Sequence, residues 1–471
     1  MGGRRSDSVL ICVQNLPVPL DRRVWLECQA LVAAGLGVSV VCPRGPGDPS
    51  YELLDGVHLY KYRPPRQAEG IAGYMWEFLY CVVATFALAV KAYRRSRFRV
   101  IQVCNPPDTL FLVALPFRPL GVKLVYDQHD LCPEVFQSRF GSASTRLLRG
   151  LYLLEQATYR CAHTVVVTNA SYRAVALSRG GCSPREVTVV RSGPDTTSMA
   201  PGPGSPELRN GRPHLAVYLG IMGPQDGVDG VLRAWSVIVH DMGRTDCHLA
   251  VLGFGDCFEE LRALCTDLDL DPWVTFTGRA DATQVQRWLR SADLGLDPDP
   301  LNPLNDVSTM NKTMEYMAFA LPVVTFDLKE TRISAAASAV YVRPGDIEGF
   351  AKAAVELFDD DEKRARMGSY ARQRAVDLLD WDVQRARYVE VYRRLLRGET
   401  DMSVINASPS SAAPSVPEQR LGDRRTGARR GTWAGPEQRR LQRRDAISIP
   451  SPRSPAAQPV GSRSRSSGKR S

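Results

Sequence analysis

Short apolar runs alternating with longer amphipathic stretches, twice over and with a Pro/Gly-rich break between, constrain this chain more than any other feature. The first series reads "SVLICVQ" (8–14), a helical run "DRRVWLECQALVAAG" (21–35), "GVSVVCP" (37–43), "FRVIQVC" (98–104), "GVKLVYD" (121–127) and "HTVVVT" (163–168), and ends near "VTVVRSGPD" (187–195). Strands that are apolar throughout and separated by helices belong to a parallel sheet covered on both faces. After "MAPGPGSPELRNGRP" (199–213), a linker composition, the alternation restarts with "HLAVYLG" (214–220), "CHLAVLGFG" (247–255), "WVTFTG" (273–278), "DLGLDP" (293–298), "LPVVTF" (321–326) and "AVYV" (339–342). Helical runs at about 346–376 and 381–397 close this series, and the last carries Trp381 and tyrosines able to pack back on the first domain. The expected chain is α/β, with two doubly wound domains, 1–198 and 214–398, joined by the 199–213 linker. A tail, 399–471, follows, rich in Arg, Ser and Pro, in which nothing offsets the entropy of ordering.

The formal charge of +9 resides entirely in that tail, since residues 401–471 hold 14 Lys+Arg and 5 Asp+Glu, leaving 46 of each sign in residues 1–400. A neutral body speaks against nucleic-acid binding, which calls for a basic domain. The 11 cysteines form no C-x-x-C and the six histidines no ligand spacing, so free thiols in a reducing compartment are expected, with no metal site. The apolar run of "MGGRRSDSVLICVQ" is too short for a signal peptide, which places the expected location in the cytoplasm.

One segment departs from the scheme. "IAGYMWEFLYCVVATFALAV" (71–90) carries one charge, Glu77, and is followed by Lys91, Arg94, Arg95, Arg97 and Arg99. The favoured expectation is a largely buried helix covering the first sheet. The alternative is a helix docked on an anionic membrane surface, with the basic tail as a second contact.

The chemistry should sit where the carboxyl ends of both sheets face one cleft. Beyond "KLVYD" the chain places His129, Asp130 and Glu134, a cluster able to orient a hydroxyl and share a proton. Equally, Asp130 could cap the next helix and His129 be packed. "YLGIMGPQDGVDGVLRAW" puts Gly220, Gly223 and Gly227 between a strand and a helix, and "VLGFGD" repeats the theme with Gly253 and Gly255. Such glycines admit a phosphate to backbone N–H groups, or merely make the turn. In "STMNKTMEYMAFALPVV" (308–324), Ser308 and Thr309 are able to cap a helix that carries Lys312 in its first turn and Glu315 one turn deeper. With the helix dipole, Lys312 would face a diphosphate, and Glu315 would accept from ribose hydroxyls. The bland alternative is an i,i+3 surface ion pair.

Over residues 8–397 these stretches resemble the family-4 retaining glycosyltransferases of GT-B architecture. "DRRVWLECQALVAAGLGVSVVCP" is similar to that family's opening β-α-β, bringing Asp21 and Arg22 to the acceptor side. "NPPDTLFL" (105–112), with Asn105 and Asp108, and "YDQHDLCPEVF" (126–136) are similar to its first-domain cleft loops. "LGIMGPQDGVD", with Asp226, resembles its donor glycine loop, and "NPLNDVSTMNKTMEYMAFALPVV", with Asn305 and Asp306, a variant of its Glu-x7-Glu signature.

The resemblance implies two Rossmann-like domains across a cleft and a nucleoside-diphosphate sugar on the second. It implies transfer, with retention and without a metal, to a lipid-linked or polysaccharide acceptor in cell-envelope or exopolysaccharide synthesis. It also places His129 near the sugar and gives Asp130 a catalytic part. Two departures stand out. Val307 occupies the place of the first Glu, with Asp306 beside it as a substitute, and "GIMGPQDGVD" lacks the family's Arg and Lys. Lys312, helped by Arg279, is expected to take over. A catalytically degenerate GT-B partner and a sugar-nucleotide 2-epimerase are the competing readings.

Overall fold

The computed structural model describes residues 7–65, 70–140 and 145–406. Two sheets organise them. The first comprises β1 (Ser8–Cys12), β2 (Gly37–Pro43), β3 (Tyr51–Leu54), β4 (Val57–Tyr62), β5 (Val100–Cys104), β6 (Lys123–Gln128), β7 (Thr164–Val167) and β8 (Val187–Val189). Its order is β3-β4-β2-β1-β5-β6-β7-β8, parallel except for the edge pair β3–β4. The second comprises β9 (His214–Ile221), β10 (Cys247–Phe254), β11 (Val274–Gly278), β12 (Leu294–Asp297), β13 (Val323–Phe326) and β14 (Ala339–Val342), all parallel in the order β11-β10-β9-β12-β13-β14. The inner strands are buried on both faces, as the apolar runs require, while the edge strands β3 and β11 are only partly covered. The β3–β4 hairpin has no counterpart in the expected strands, although its turn residues Asp55 and Gly56, both at positive φ, are a hairpin signal.

The chain crosses between lobes twice. The second crossing delivers the Trp381–Arg397 helix to the first lobe, where Trp381, Tyr388, Val391 and Tyr392 join the core beneath β1, β2 and β5. Met402 and Ile405 follow into the same core, and the Met402 amide donates to Arg185 O at 2.7 Å. The ordered chain thus extends past residue 399, where the apolar pattern fades. The remainder of the tail, 407–471, lies outside the described residues.

The apolar segment departs most from expectation. It forms the Gly70–Ser96 helix, long and apolar enough by composition to cross a membrane, yet it leaves β4 and enters β5 of one sheet. Only 22% of its most apolar window is buried. Cys81, Ala89 and Ala92 face the sheet, whereas Met75, Trp76, Leu79, Val83 and Phe86 are exposed. Recurring at helical spacing, these exposed residues form one stripe.

Candidate active site

Each sheet has one point where the strand order reverses, between β1 and β5 in the first and between β9 and β12 in the second. Ligands of open α/β sheets bind outside the carboxyl ends of the strands at such points. The Arg22–Ala33 helix follows β1, and the Asn311–Ala318 helix follows β12. Between them Arg22 Nη1 donates to Glu315 Oε1 at 2.7 Å, spanning the lobes, while Arg22 Nη2 reaches Gly193 O at 3.3 Å.

Arg23, next to it, turns into the first lobe. Its Nη2 donates to Asp127 Oδ1 at 2.7 Å, and its Nη1 to Val190 O and Ser192 Oγ. The fully buried Asp127 carboxylate also accepts from Gln102 Nε2 at 2.9 Å, and its Oδ2 lies 2.7 Å from His129 Nε2. Burial would raise the Asp127 pKa, but Arg23, then His129, outweigh it and hold the carboxyl well below its usual range. Burial would likewise lower His129, yet the Asp127 charge and hydrogen bond prevail and raise it. The imidazole keeps 16% of its side chain exposed, so it is a positioned group with an open edge. Asp127 and His129 alternate along the strand end and therefore share a face. That signal was present in "YDQHD", although neither Asp127 nor Arg23 was among the expected site residues.

Asn105 shapes the loop that holds His129. Its Oδ1 accepts from the amides of His129 (2.7 Å) and Asp130 (3.2 Å), and its Nδ2 donates to Asp130 O and Asp108 Oδ1. Asp108 in turn accepts from Tyr126 OH at 2.6 Å. Both residues are buried, so they are scaffold for the loop and do not face an acceptor as expected. Glu134 is similarly committed, to Arg179 at 2.5 and 3.1 Å, and Asp21 caps its helix by accepting from Val24 N. Asp130 is half-buried beside His129.

Cys104, Asp127 and His129 each bring one potential metal-ligand atom within 4.8 Å of the others. The donor set does not fit a metal. Arg23 holds one Asp127 oxygen, His129 bonds the other directly, and burial pushes the Cys104 thiol well above its ordinary pKa.

In the second lobe the structure corrects several expectations. Lys312 is buried and paired, in close contact with Asp299 and 3.7 Å from Asp297, its ammonium 5.5 Å from the Tyr218 ring centre. Burial works against its charge, but its acidic neighbours, Asp299 first, prevail and raise its pKa, while burial and Asp297 push the Asp299 carboxyl itself upward. Lys312 is therefore neither an open cation at the helix mouth nor the partner of Glu315. The helix starts at Asn311 without a side-chain cap. Ser308 Oγ instead meets Tyr172 OH at 2.8 Å, and Thr309 Oγ1 accepts from Asn169 Nδ2 at 3.0 Å, two further bridges between lobes. Asp306 does not stand in for the missing Glu, because its carboxylate accepts from Lys329 N at 3.0 Å and so caps the next helix. Val307 packs against the first lobe's core.

Asn305 is buried and donates to Gln225 O (2.9 Å) and Pro300 O (3.0 Å), tying together the loops that follow β9 and β12. Asp226 Oδ2 accepts from Gly223 N at 2.9 Å and closes the turn between Gly223 and Gly227. A Cβ on Gly253 would fall 1.8 Å from Gly220 O, and one on Gly255 2.5 Å from Met222 O. These glycines let two neighbouring loops close on one another, which leaves their backbone at the switch point. Arg279 is exposed beyond β11, its guanidinium 5.2 Å from the Phe254 ring centre. It lies two strands away from β9, so it does not join Lys312 in the expected role.

What the arrangement offers is a cleft with a carboxylate on one wall, an imidazole with a raised pKa on the other and an arginine between. Residues 20–193 match the glycosyl transferase 4-like domain, and residues 213–360 match the glycosyl transferases of group 1. The D-inositol 3-phosphate glycosyltransferase of Kineococcus radiotolerans is 24% identical over 298 residues, 59% of this chain and 67% of that protein. The GDP-mannose-dependent monoacylated alpha-(1-6)-phosphatidylinositol monomannoside mannosyltransferase of Corynebacterium glutamicum is 25% identical over 36% of this chain and 44% of its own length.

Among solved structures, sucrose-phosphate synthase from Thermosynechococcus elongatus superposes with a TM-score of 0.68 at 16% identity, over 83% of this chain and 100% of that one. WaaG, a glycosyltransferase involved in lipopolysaccharide biosynthesis, gives 0.63 at 17%, over 82% and 99%. HepE of Anabaena, in complex with UDP and glucose, gives 0.59 at 16%, over 82% and 99%. With both family models placed one on each lobe and the switch points facing across the cleft, the chain belongs to the group 1, family-4 glycosyltransferases of GT-B architecture.

Proposed function

We propose that the cleft takes a nucleoside-diphosphate sugar and passes the sugar, with retention and without a metal, to a hydroxyl of a lipid-linked or polysaccharide acceptor in envelope or exopolysaccharide synthesis. One observation carries this reading: the run of ionisable side chains Glu315, Arg22, Arg23, Asp127 and His129 that crosses the cleft between the two switch points. Glu315, with 16% of its side chain exposed, would accept from the ribose hydroxyls, and His129 would meet the sugar from the opposite wall. The bond from the anomeric carbon to the phosphate oxygen breaks with its electron pair going to the nucleoside diphosphate. The acceptor oxygen then bonds that carbon from the same face, and its proton passes to the departing phosphate. The names of the relatives support the substrate classes, one using GDP-mannose on a lipid and another structure holding UDP and glucose.

A thermal-shift panel of uridine, guanosine and adenosine diphosphate sugars tests the donor. One of them should raise the melting temperature by mass action and be hydrolysed slowly without acceptor. Binding without turnover under every acceptor would instead favour a degenerate partner protein, a reading motivated by the cation-free loop Gly220–Gly227.

The acceptor reading extends to the place of work, the cytoplasmic face of a membrane. The exposed stripe Met75, Trp76, Leu79, Val83 and Phe86, with Leu112 and Leu120 on the adjoining segment, ends near exposed Lys91, Arg94, Arg95 and Arg97. An apolar face flanked by cations suits an anionic bilayer, each basic residue contributing about 1 kcal/mol near such a surface. The protein should sediment with phosphatidylserine vesicles, and Leu79→Glu with Val83→Glu should abolish this at any salt. Sedimentation unchanged by the double substitution would remove the helix from the contact.

A further inference from the structure

We infer that Arg22, on the first lobe, is the cation that meets the donor's diphosphate, and that its pairing with Glu315 is the resting half of an exchange. The inference rests on the nucleotide-sugar reading above and assigns a residue within it.

The charge balance of the second lobe motivates it. The end of β9 and the loop after it carry Ile221, Met222, Gln225 and Asp226 where a diphosphate would lie, and none of these is positive. Lys312 is spent on Asp297 and Asp299, which lie in and just after β12. Glu315 adds a further negative charge. A leaving group that gains charge as the glycosidic bond breaks would face an acidic wall, and such a wall raises the barrier where an enzyme must lower it. A positive group has to come from elsewhere.

Arg22 is the group that the geometry supplies. It stands at the start of the helix after β1, at the switch point of the first sheet, and reaches the helix after β12, at the switch point of the second. The positive end of its own helix lies at the same place. Arg22 keeps 36% of its side chain exposed, unlike Arg23, which is buried and consumed by Asp127. The contrast between the two neighbours matters, because one is fixed in the core and the other sits on a single carboxylate at the cleft. When ribose hydroxyls take the Glu315 carboxylate, Arg22 loses its charged partner and keeps only the neutral Gly193 carbonyl and Met199 sulfur. The first phosphate is one methylene and one oxygen away from that ribose ring, so the freed guanidinium has an anion within a short swing. An arginine fork suits phosphate oxygens, donating to two at once.

The exchange separates this role from that of a simple clamp between lobes. A clamp opposes every ligand equally, whereas an exchanging arginine opposes the ribose and favours the phosphates. The experiment compares Arg22→Ala and Arg22→Lys with the wild type by titration calorimetry. The probes are the nucleoside diphosphate picked out by the donor panel and the matching phosphate-free nucleoside. In Arg22→Ala the diphosphate should bind about ten- to a hundredfold more weakly, as for a lost charge-assisted hydrogen bond. The free nucleoside should bind as well as before or better, because Glu315 has been released.

Donor hydrolysis by Arg22→Ala should fall further than binding does and recover in part with added guanidinium at sub-denaturing concentration. Arg22→Lys should lie between. Equal tightening of both probes would make Arg22 a clamp, and unchanged diphosphate binding with unchanged hydrolysis would remove it from the site; either overturns the inference. If the wild type binds no nucleoside diphosphate at all, the donor reading itself falls and this assignment with it.

Discussion

Asp127→Asn should move the His129 imidazole from a pKa above its ordinary 6.5 to one below it, and cut transfer about a hundredfold at neutral pH. In the wild type burial pulls the imidazole down and the Asp127 carboxylate lifts it. Without the carboxylate, burial remains and Arg23, close by, adds to it, and an ionised Glu27 offsets only part of this. The sign of the pH dependence follows. A raised histidine stabilises the fold fully below pH 6.5 and loses that contribution as pH rises through the folded pKa. In the variant, acidification would have to charge a buried imidazole, so stability would fall towards low pH. The overall cost is moderated by Glu27, whose carboxyl lies 3.0 Å from Arg23 Nε and is pushed up to about 8 by burial and by Asp127. Once Asp127 is neutral, Glu27 can ionise and take over the guanidinium. Breaking a buried pair costs about 3–5 kcal/mol, and this relay should reduce the loss to about 2 kcal/mol. Histidine NMR titration, with His129→Gln to assign the resonance, reads the pKa directly. A midpoint that does not move would show that Asp127 does not set the charge of His129.

Lys312→Ala should unfold the second lobe before it slows any chemistry. The substitution strands Asp297 and Asp299, both buried, beside a cavity. The loss is expected at about 3–5 kcal/mol near pH 7. It has a pH signature, because with the ammonium gone both carboxyls prefer to be protonated and their folded pKa values rise. Stability is then retained below the unfolded value of about 4 and lost as pH rises through the raised ones. Urea denaturation at several pH values checks this, and Lys312→Ala combined with Asp299→Asn should recover a good part of the loss, the non-additivity expected of groups in contact. A stably folded Lys312→Ala protein with reduced kcat would restore Lys312 to the role its position in the sequence proposes.

The architecture was readable because buried parallel strands are apolar along their whole length, and each of the six strand runs expected in the first lobe begins or ends within two residues of an observed strand. Reading failed where a residue's environment comes from a distant part of the chain. The Gly70–Ser96 helix has the composition of a core helix, and composition does not reveal that one of its faces stays exposed. Lys312 and Glu315 stand at the spacing of an ion pair, yet each finds its partner elsewhere, Glu315 at a residue 293 positions away. His129 was visible, but its pKa depends on Arg23 and Asp127, whose pairing joins β6 to the first helix across 104 positions. Asp306 shows the same limit in reverse: its neighbour in sequence suggested a ligand, while its neighbour in space is a helix end.

The tyrosines of the last helix have a consequence for how the protein is made. Tyr388 OH donates to Gln102 Oε1 at 2.6 Å across 286 positions, and Tyr392 reaches the same oxygen, directly beneath the Gln102 amide that holds Asp127. During synthesis the first lobe therefore emerges without the part of its cover that packs on β5 and on the Arg22–Ala33 helix, and that part arrives only after the whole second lobe has left the ribosome. The usual order, in which the leading domain finishes folding before the next begins, is unavailable to this chain. Its first lobe must wait with this part of its core open, and the polar knot under His129 is tied last, so the Trp381–Arg397 helix also sets the moment at which the protein first becomes competent to act.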